Sequence, residues 1–262
     1  MRATVILLLA MTAPVLADDA TPLFNGRDLS NFDIGYSSKP VDNRPASSLF
    51  EVGNGEVRTY PGVAAGATVP SGYFQTRDSH ADFMLHLEYK WDGRKFAPRM
   101  ERLRDAGIMF HIYEEVPQSW PHGTEAQIGE KDVGDLWLIS AEAGVPILGE
   151  PHPPTDPLQD TAPAYAPVGN PATFGGHMKY VRVRHNADYE KPGWNSVDVV
   201  VRGDSAIYLV NGQANMRVVH MKKWVGNHWE KLDRGKILFQ AEYAGISYRN
   251  ITIRPVTEKD PK

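Results

Sequence analysis

The stretch TEAQIGE, Thr124–Glu130, sets a carboxylate and an amide two residues apart and adds a second carboxylate three residues on. In an extended strand residues two apart share a face, so Glu125 and Gln127 would point to the same side. A glutamate on a strand is most often simply wet. Here the flanking segment DLWLI is apolar, and His111 and His122 lie nearby in the chain. A β-bulge at Gly129 would turn Glu130 onto the face of Glu125 and Gln127. Two carboxyl groups on one concave face can divide acid and base, or acid and nucleophile, roles when their surroundings separate their pKa values.

Further positions carry related chemistry. In AGIMFHI, alternation puts Met109 and His111 on one face and Ile108, Phe110 and Ile112 on the other. A lone strand histidine is usually structural, but across a sheet from Glu125 it would serve as a proton carrier or a ligand. The other histidines show no tight ligand spacing such as HExxH, so spacing alone names no metal. His111 with Glu125 could nevertheless hold a divalent ion. Trp194-Asn195 opens a strand, where the ring would either plug the core or stack on a pyranose while Asn195 takes a hydroxyl. Gln240 and Glu242 repeat the two-apart polar pattern near the C-terminus, and its recurrence favours one shared polar face. Five basic residues between Asp92 and Arg104 read best as a solvated rim, with an anionic substituent as the sharper alternative.

These residues need rigid strands beneath them. In DFMLHLEYKW, Phe83, Leu85, Leu87, Tyr89 and Trp91 alternate with Met84, His86, Glu88 and Lys90, as a half-buried antiparallel strand requires. WNSVDVVVRG alternates in the same way and turns into SAIYLVNGQ, whose Asn211-Gly212 is a strong hairpin signal. GKILFQAEYAG and ISYRNITIRP form a closing pair. The pattern predicts roughly a dozen strands in a sandwich. Asp92–Arg104 reads as a loop or short helix, and residues 145–176, rich in Pro and Gly, as an irregular insertion over a binding site.

At 262 residues and 42% hydrophobic content, the chain suffices for one sizeable core. A net charge of −4 without a basic block gives no footprint for nucleic acid. Residues 1–17 have the positive start, short apolar core and small-residue cleavage pattern of a signal peptide, and are too short to span a membrane. The sequence contains no Cys, which excludes disulfides and thiol chemistry. The expected protein is exported to a bacterial periplasm or medium, with one domain over residues 18–262. No cofactor motif and no obligate protein partner is evident.

The ordered set of segments resembles the 3-keto-disaccharide hydrolase family. LFNGRDLSNF (23–32), FEVGNGEVRT (50–59) and GYFQTRDSHADFMLHLEYKW (72–91) are similar to its opening motifs. DAGIMFHI (105–112) sits where the family has N-S-G-I-x-x-R, and TEAQIGE where it has E-x-Q-I-x-D. PGWNSVDVVVRG (192–203), YLVNGQ (208–213) and GKILFQAEYAGISYRNITIRP (235–255) look like its later segments. Asp105-Ala106 stands for the family's Asn-Ser, His111 for an Arg and Glu130 for an Asp. The resemblance implies an all-β, concanavalin-like jelly-roll sandwich of two antiparallel sheets, with a carbohydrate as its ligand. It implies cleavage of glycosides oxidised at C3, by C2 deprotonation, elimination and hydration. Glu125 and His111 would then move protons or ligate a metal; Gln127, Asn195, Gln240 and Glu242 would fix hydroxyls, and Trp194 would stack. Two other readings stand beside it: a retaining β-glucanase using Glu125 and Glu130, and a non-catalytic carbohydrate-binding sandwich.

Overall fold

A computed structural model describes residues 20–149 and 162–262. The signal-peptide segment and the PHPPTDP part of the insertion lie outside the described residues. In chain order the strands are β1 (Thr21–Pro22), β2 (Phe32–Tyr36), β3 (Phe50–Gly53), β4 (Glu56–Thr59), β5 (Gly72–Thr76) and β6 (Phe83–Lys95). Next come β7 (Asp105–Glu114), β8 (His122–Gly129), β9 (Leu136–Ile139), β10 (Ala141–Ile147), β11 (Asn170–Gly175) and β12 (Tyr180–Val183). The last are β13 (Asn195–Arg202), β14 (Ser205–Val210), β15 (Gln213–Val225), β16 (His228–Lys231), β17 (Lys236–Ala241) and β18 (Ala244–Arg254).

They form two antiparallel sheets. The seven-stranded sheet runs β12-β9-β8-β7-β17-β5-β2. The eleven-stranded sheet follows β11-β10-β15-β14-β13-β6-β18-β4-β3, with β1 on β18 and β16 on β15. Alternation sets which side chains meet between them. Phe83, Leu85, Leu87 and Tyr89 of β6 are buried beside Val197, Val199 and Val201 of β13, and face Ile108, Phe110, Ala126 and Phe239 of the smaller sheet. The sheets touch through aromatic pairs such as Phe110–Tyr208, edge to face at 5.9 Å, and Phe74–Tyr248 at 6.1 Å. The Asn211-Gly212 turn holds both residues at positive φ, 49° and 78°, as a two-residue primed hairpin requires.

The all-β sandwich agrees with the sequence reading, and three local expectations need correction. Strand β6 continues through Asp92–Lys95, so only residues 96–104 of the basic segment form a loop. The ends of the Pro- and Gly-rich segment are themselves strands: β10 and β11 pair from Glu142↔Gly175 to Ile147↔Asn170, and Tyr165 is buried in the core. Pairing of β7 with β8 runs without a shift from Asp105↔Gly129 to Phe110↔Thr124, so Gly129 carries no bulge. The shift lies at the other end, between Phe110 and Glu114, where His111 adopts φ 51°.

Candidate functional site

The outer face of the seven-stranded sheet carries the polar cluster. Across its middle strands, Glu125 stands opposite Met109 and Trp137, and Gln127 opposite Gly107. On β17, Leu238 aligns with Met109 and with Gln75 of β5, which brings Gln240 beside Gly107. Glu242, just past β17, bridges to Asp105. The alternation that buries Ala126, Ile128 and Phe239 on one side therefore gathers Asp105, Glu125, Gln127, Gln240 and Glu242 on the other. Two tyrosines from the opposite sheet reach through the core and hold the backbone beneath: Tyr248 donates to the Gln240 carbonyl at 2.7 Å and Tyr208 to the Glu125 carbonyl at 3.4 Å.

Gly107 makes room for the cluster. A Cβ there would sit 2.1 Å from Glu125 Oε1 and 2.9 Å from Gln240 Oε1. Glu125 therefore lies over the glycine, where the Gln240 amide donates to it at 3.1 Å. The Gln127 amide donates to Asp105 at 2.9 Å. Loop 96–104 returns over this face and places Arg99 between two acids, 2.7 Å from Glu242 and hydrogen-bonded to Asp105. From the other side, Trp120 packs on Tyr73, Met109, Ile112, Ile139 and Leu238 and hydrogen-bonds Glu242.

Three carboxyl groups and one guanidinium share this buried place, so not every acid can be charged. Burial, then Glu242 and Asp105, push Glu125 well above the usual carboxylate range. Burial and the Asp105 charge raise Glu242 to about 8, with Arg99 opposing them. Asp105 is raised by burial against the same guanidinium. Burial disfavours the Arg99 charge, but Glu242 and Asp105 outweigh it and raise its pKa. Such divergent surroundings are what general acid–base chemistry near neutral pH needs. Beside Asp105 and Gln127, Arg102, Arg104, Asp132, Trp137 and Arg182 line a cleft of about 360 Å³.

Glu125, Gln127, Gln240 and Glu242 thus come together as the two-apart patterns suggested; the other candidates go elsewhere. His111 turns into the space between the sheets, because its positive φ reverses the strand's alternation. It is fully buried, its Nε2–H donates to the Gly203 carbonyl at 3.0 Å, and its ring packs on Phe83 and Phe110. Burial lowers its pKa to about 4, so it is neutral. It does not meet Glu125, and the proposed ligand pair is not formed. Among the described residues no group of three His, Asp or Glu side chains converges as a metal site. The residues present therefore do not fit a divalent ion held by His111 and Glu125.

Glu130 lies past the end of β8 and pairs with Arg104 at 3.1 Å, which lowers its pKa. Without a bulge at Gly129 it does not join Glu125, so the retaining pair Glu125/Glu130 is not assembled. Trp194 sits at the start of β13 in the other sheet, under Arg249 at 3.8 Å and Lys90 at 4.7 Å. Asn195 is buried beside it and ties the 191–195 turn, accepting from the Lys191 amide at 2.8 Å and from Asn211 at 2.8 Å. Neither reaches the polar cluster. Sequence reasoning passed over Asp105, although it shares the alternation of Gly107 and Met109. It also passed over Trp137, in the apolar run after TEAQIGE, and took Arg99 for part of a solvated rim. Nothing in the local pattern marks Trp120, which is brought in by its loop.

Comparison with known proteins adds to this geometry. Among curated proteins nothing matches the chain. Its fold is similar to a candidate glycosyl hydrolase from Parabacteroides distasonis ATCC 8503 solved at 2.00 Å, with TM-score 0.50 and 19% identity over 91% of this chain and 100% of that one. A second candidate glycosyl hydrolase from that organism gives TM-score 0.48 and 16% identity over 91% and 94% of the two chains. The carbohydrate binding module CBM66 from Bacillus subtilis gives 0.43 and 10% over 78% and 90%. At 19% identity the likeness to the first of these is one of fold alone. A family model matches residues 19–254, nearly the whole chain, and on that match the protein belongs to the family of 3-keto-alpha-glucoside-1,2-lyase-like domains.

Proposed function

We propose that the outer face of the seven-stranded sheet binds a glycoside whose sugar carries a ketone at C3 and cleaves its glycosidic bond by elimination and hydration. The observation that carries this reading is the pairing of two raised carboxyl groups in unlike surroundings, Glu242 ion-paired with Arg99 and Glu125 held by the Gln240 amide, with Arg99 acting on it only as its weakest influence.

A C3 ketone acidifies the C2 proton. Glu242, the more readily ionised of the two because Arg99 lies 2.7 Å away, takes that proton as base. The C2–H electron pair passes toward the C3 oxygen as the enolate forms. It then returns to make the C1–C2 double bond and breaks the bond from C1 to the departing oxygen. Glu125, neutral by burial, gives its proton to that oxygen. Water adds back at C1 with a proton at C2, so the sum is hydrolysis. Gln127 and Gln240, fixed by Asp105 and Glu125, orient hydroxyl groups. Export to the periplasm or medium, suggested by residues 1–17 and the lack of Cys, belongs to the same proposal.

Turnover of a chromogenic 3-keto-glucoside by wild type and by Glu242→Gln and Glu125→Gln tests the assignment. Each substitution keeps shape and removes proton transfer, so both variants should lose at least ~10²-fold in kcat, the range expected for a general acid or base. Retention of wild-type turnover by both would show that the chemistry lies elsewhere.

A further inference from the structure

Four buried polar atoms without a partner among the described residues share the outer face of the seven-stranded sheet: Gln75 Oε1, Gln127 Oε1, Gln240 Oε1 and Trp137 Nε1. Buried polar groups are normally satisfied, and an orphan is destabilising. A cluster of orphans at one place calls for an explanation. Two of them belong to residues that line the same cleft of about 360 Å³ beside Asp105.

Their chemistry is complementary. A carboxylate only accepts, so the Gln127 amide nitrogen must face Asp105, 2.9 Å away, and its Oε1 is left as an unused acceptor. The indole Nε1 of Trp137 can only donate. Trp137 stands directly across from Glu125 in the β8–β9 register, and Gln127 is the next residue outward on the same face of β8. One cleft beside the proton-transfer groups thus offers one unused N–H and one unused carbonyl.

We infer that this cleft recognises the α-hydroxyketone of the oxidised ring, Trp137 Nε1–H donating to the C3 carbonyl oxygen and Gln127 Oε1 accepting from the neighbouring C2 hydroxyl. The inference rests on the function proposed above and supplies what that reaction still lacks, a donor for charge developing on the C3 oxygen. When the C2 proton leaves, the electron pair moves onto that oxygen, and the hydrogen bond strengthens as the enolate forms. Such a donor acts mainly in the transition state. Trp137 also fits the role mechanically: its strand is clamped to β12 through Asp135, which accepts from Arg182 at 2.5 Å and from His185 at 2.5 Å.

The test replaces Trp137 with 3-benzothienylalanine, which keeps ring size and exchanges the N–H for sulfur, alongside Trp137→Phe. Two rates are read on a synthetic 3-keto-glucoside: aglycone release, and solvent deuterium entry at C2 by NMR. Both variants should lose ~10²–10³-fold in kcat and in C2 exchange, as for removal of one oxyanion donor, with KM within about threefold. A purely structural tryptophan would lower the melting temperature of the Phe variant and leave the benzothienyl protein active. Wild-type exchange and turnover in the benzothienyl protein would overturn the inference while leaving the proposed function intact. A wild-type protein that neither exchanges C2–H nor releases aglycone would sink both.

Discussion

Glu242→Gln should make the protein more stable at high pH while removing its activity. The carboxyl is buried, and its pKa rises from an ordinary 4.5 to about 8. Below the unfolded value the group is neutral in both states, and its contribution to stability is intact. Between 4.5 and about 8 the unfolded chain releases the proton and the folded chain keeps it, so stability falls as pH rises. Above the folded value the loss is complete. At 1.36 kcal/mol per decade it amounts to roughly 5 kcal/mol, an order-of-magnitude figure because Asp105 and Arg99 titrate against the same group. Glutamine cannot ionise, yet its carbonyl can still accept from Arg99 and Trp120. Urea denaturation at pH 4.5, 7 and 9 should show wild type and variant nearly equal at the lowest pH, and the variant ahead by several kcal/mol at the highest. Glu125 gives wild type a slope in the same direction, so the variant should keep part of the pH dependence. If both proteins share one slope, or the variant is weaker at pH 9, the description of Glu242 as a strained acid is wrong. Gain of stability on loss of function is the usual signature of a site held in strain.

Other outcomes follow from the same geometry. Gly107→Ala should fold, because the atoms a Cβ meets first belong to the Glu125 and Gln240 side chains; kcat should fall about 10²-fold as Glu125 is displaced, and near-wild-type activity would show that its position is not critical. His111→Ala should cost ~2–4 kcal/mol in denaturation from lost packing and a lost hydrogen bond, with the pH–rate profile of the folded fraction unchanged. In wild type kcat/KM should rise as Glu242 ionises near pH 8 and fall again once Glu125 loses its proton; an optimum below pH 6 would contradict those assignments.

The fold was legible because period-two alternation is a local property. The hydrophobic residues of Phe83–Tyr89 and Val197–Val201 face the core where alternation puts them. The same rule placed Glu125, Gln127, Gln240 and Glu242 on the outer face. It failed at His111, where a single residue at positive φ reverses the side-chain direction and sends an apparent site residue into the core. The reversal falls at the register shift within β7, where the ring meets the Gly203 carbonyl of the other sheet, and neither the shift nor that partner is written in AGIMFHI. Trp194-Asn195 misled for a different reason. Trp and Asn at a strand mouth look the same in sequence whether they grip a ligand or, as here, stack under arginine and tie a turn. Arg99 and Trp120 were hidden because loops deliver them, and a loop's destination depends on contacts far apart in the chain.

The central claim is that cleavage requires a ketone at C3. Purified protein should be offered one glycoside in two forms, oxidised at C3 and unoxidised, with product release followed by NMR in deuterated buffer. The oxidised form should release product carrying deuterium at C2, and the unoxidised form should release none. Equal cleavage of the two, or release without deuterium at C2, would contradict the claim.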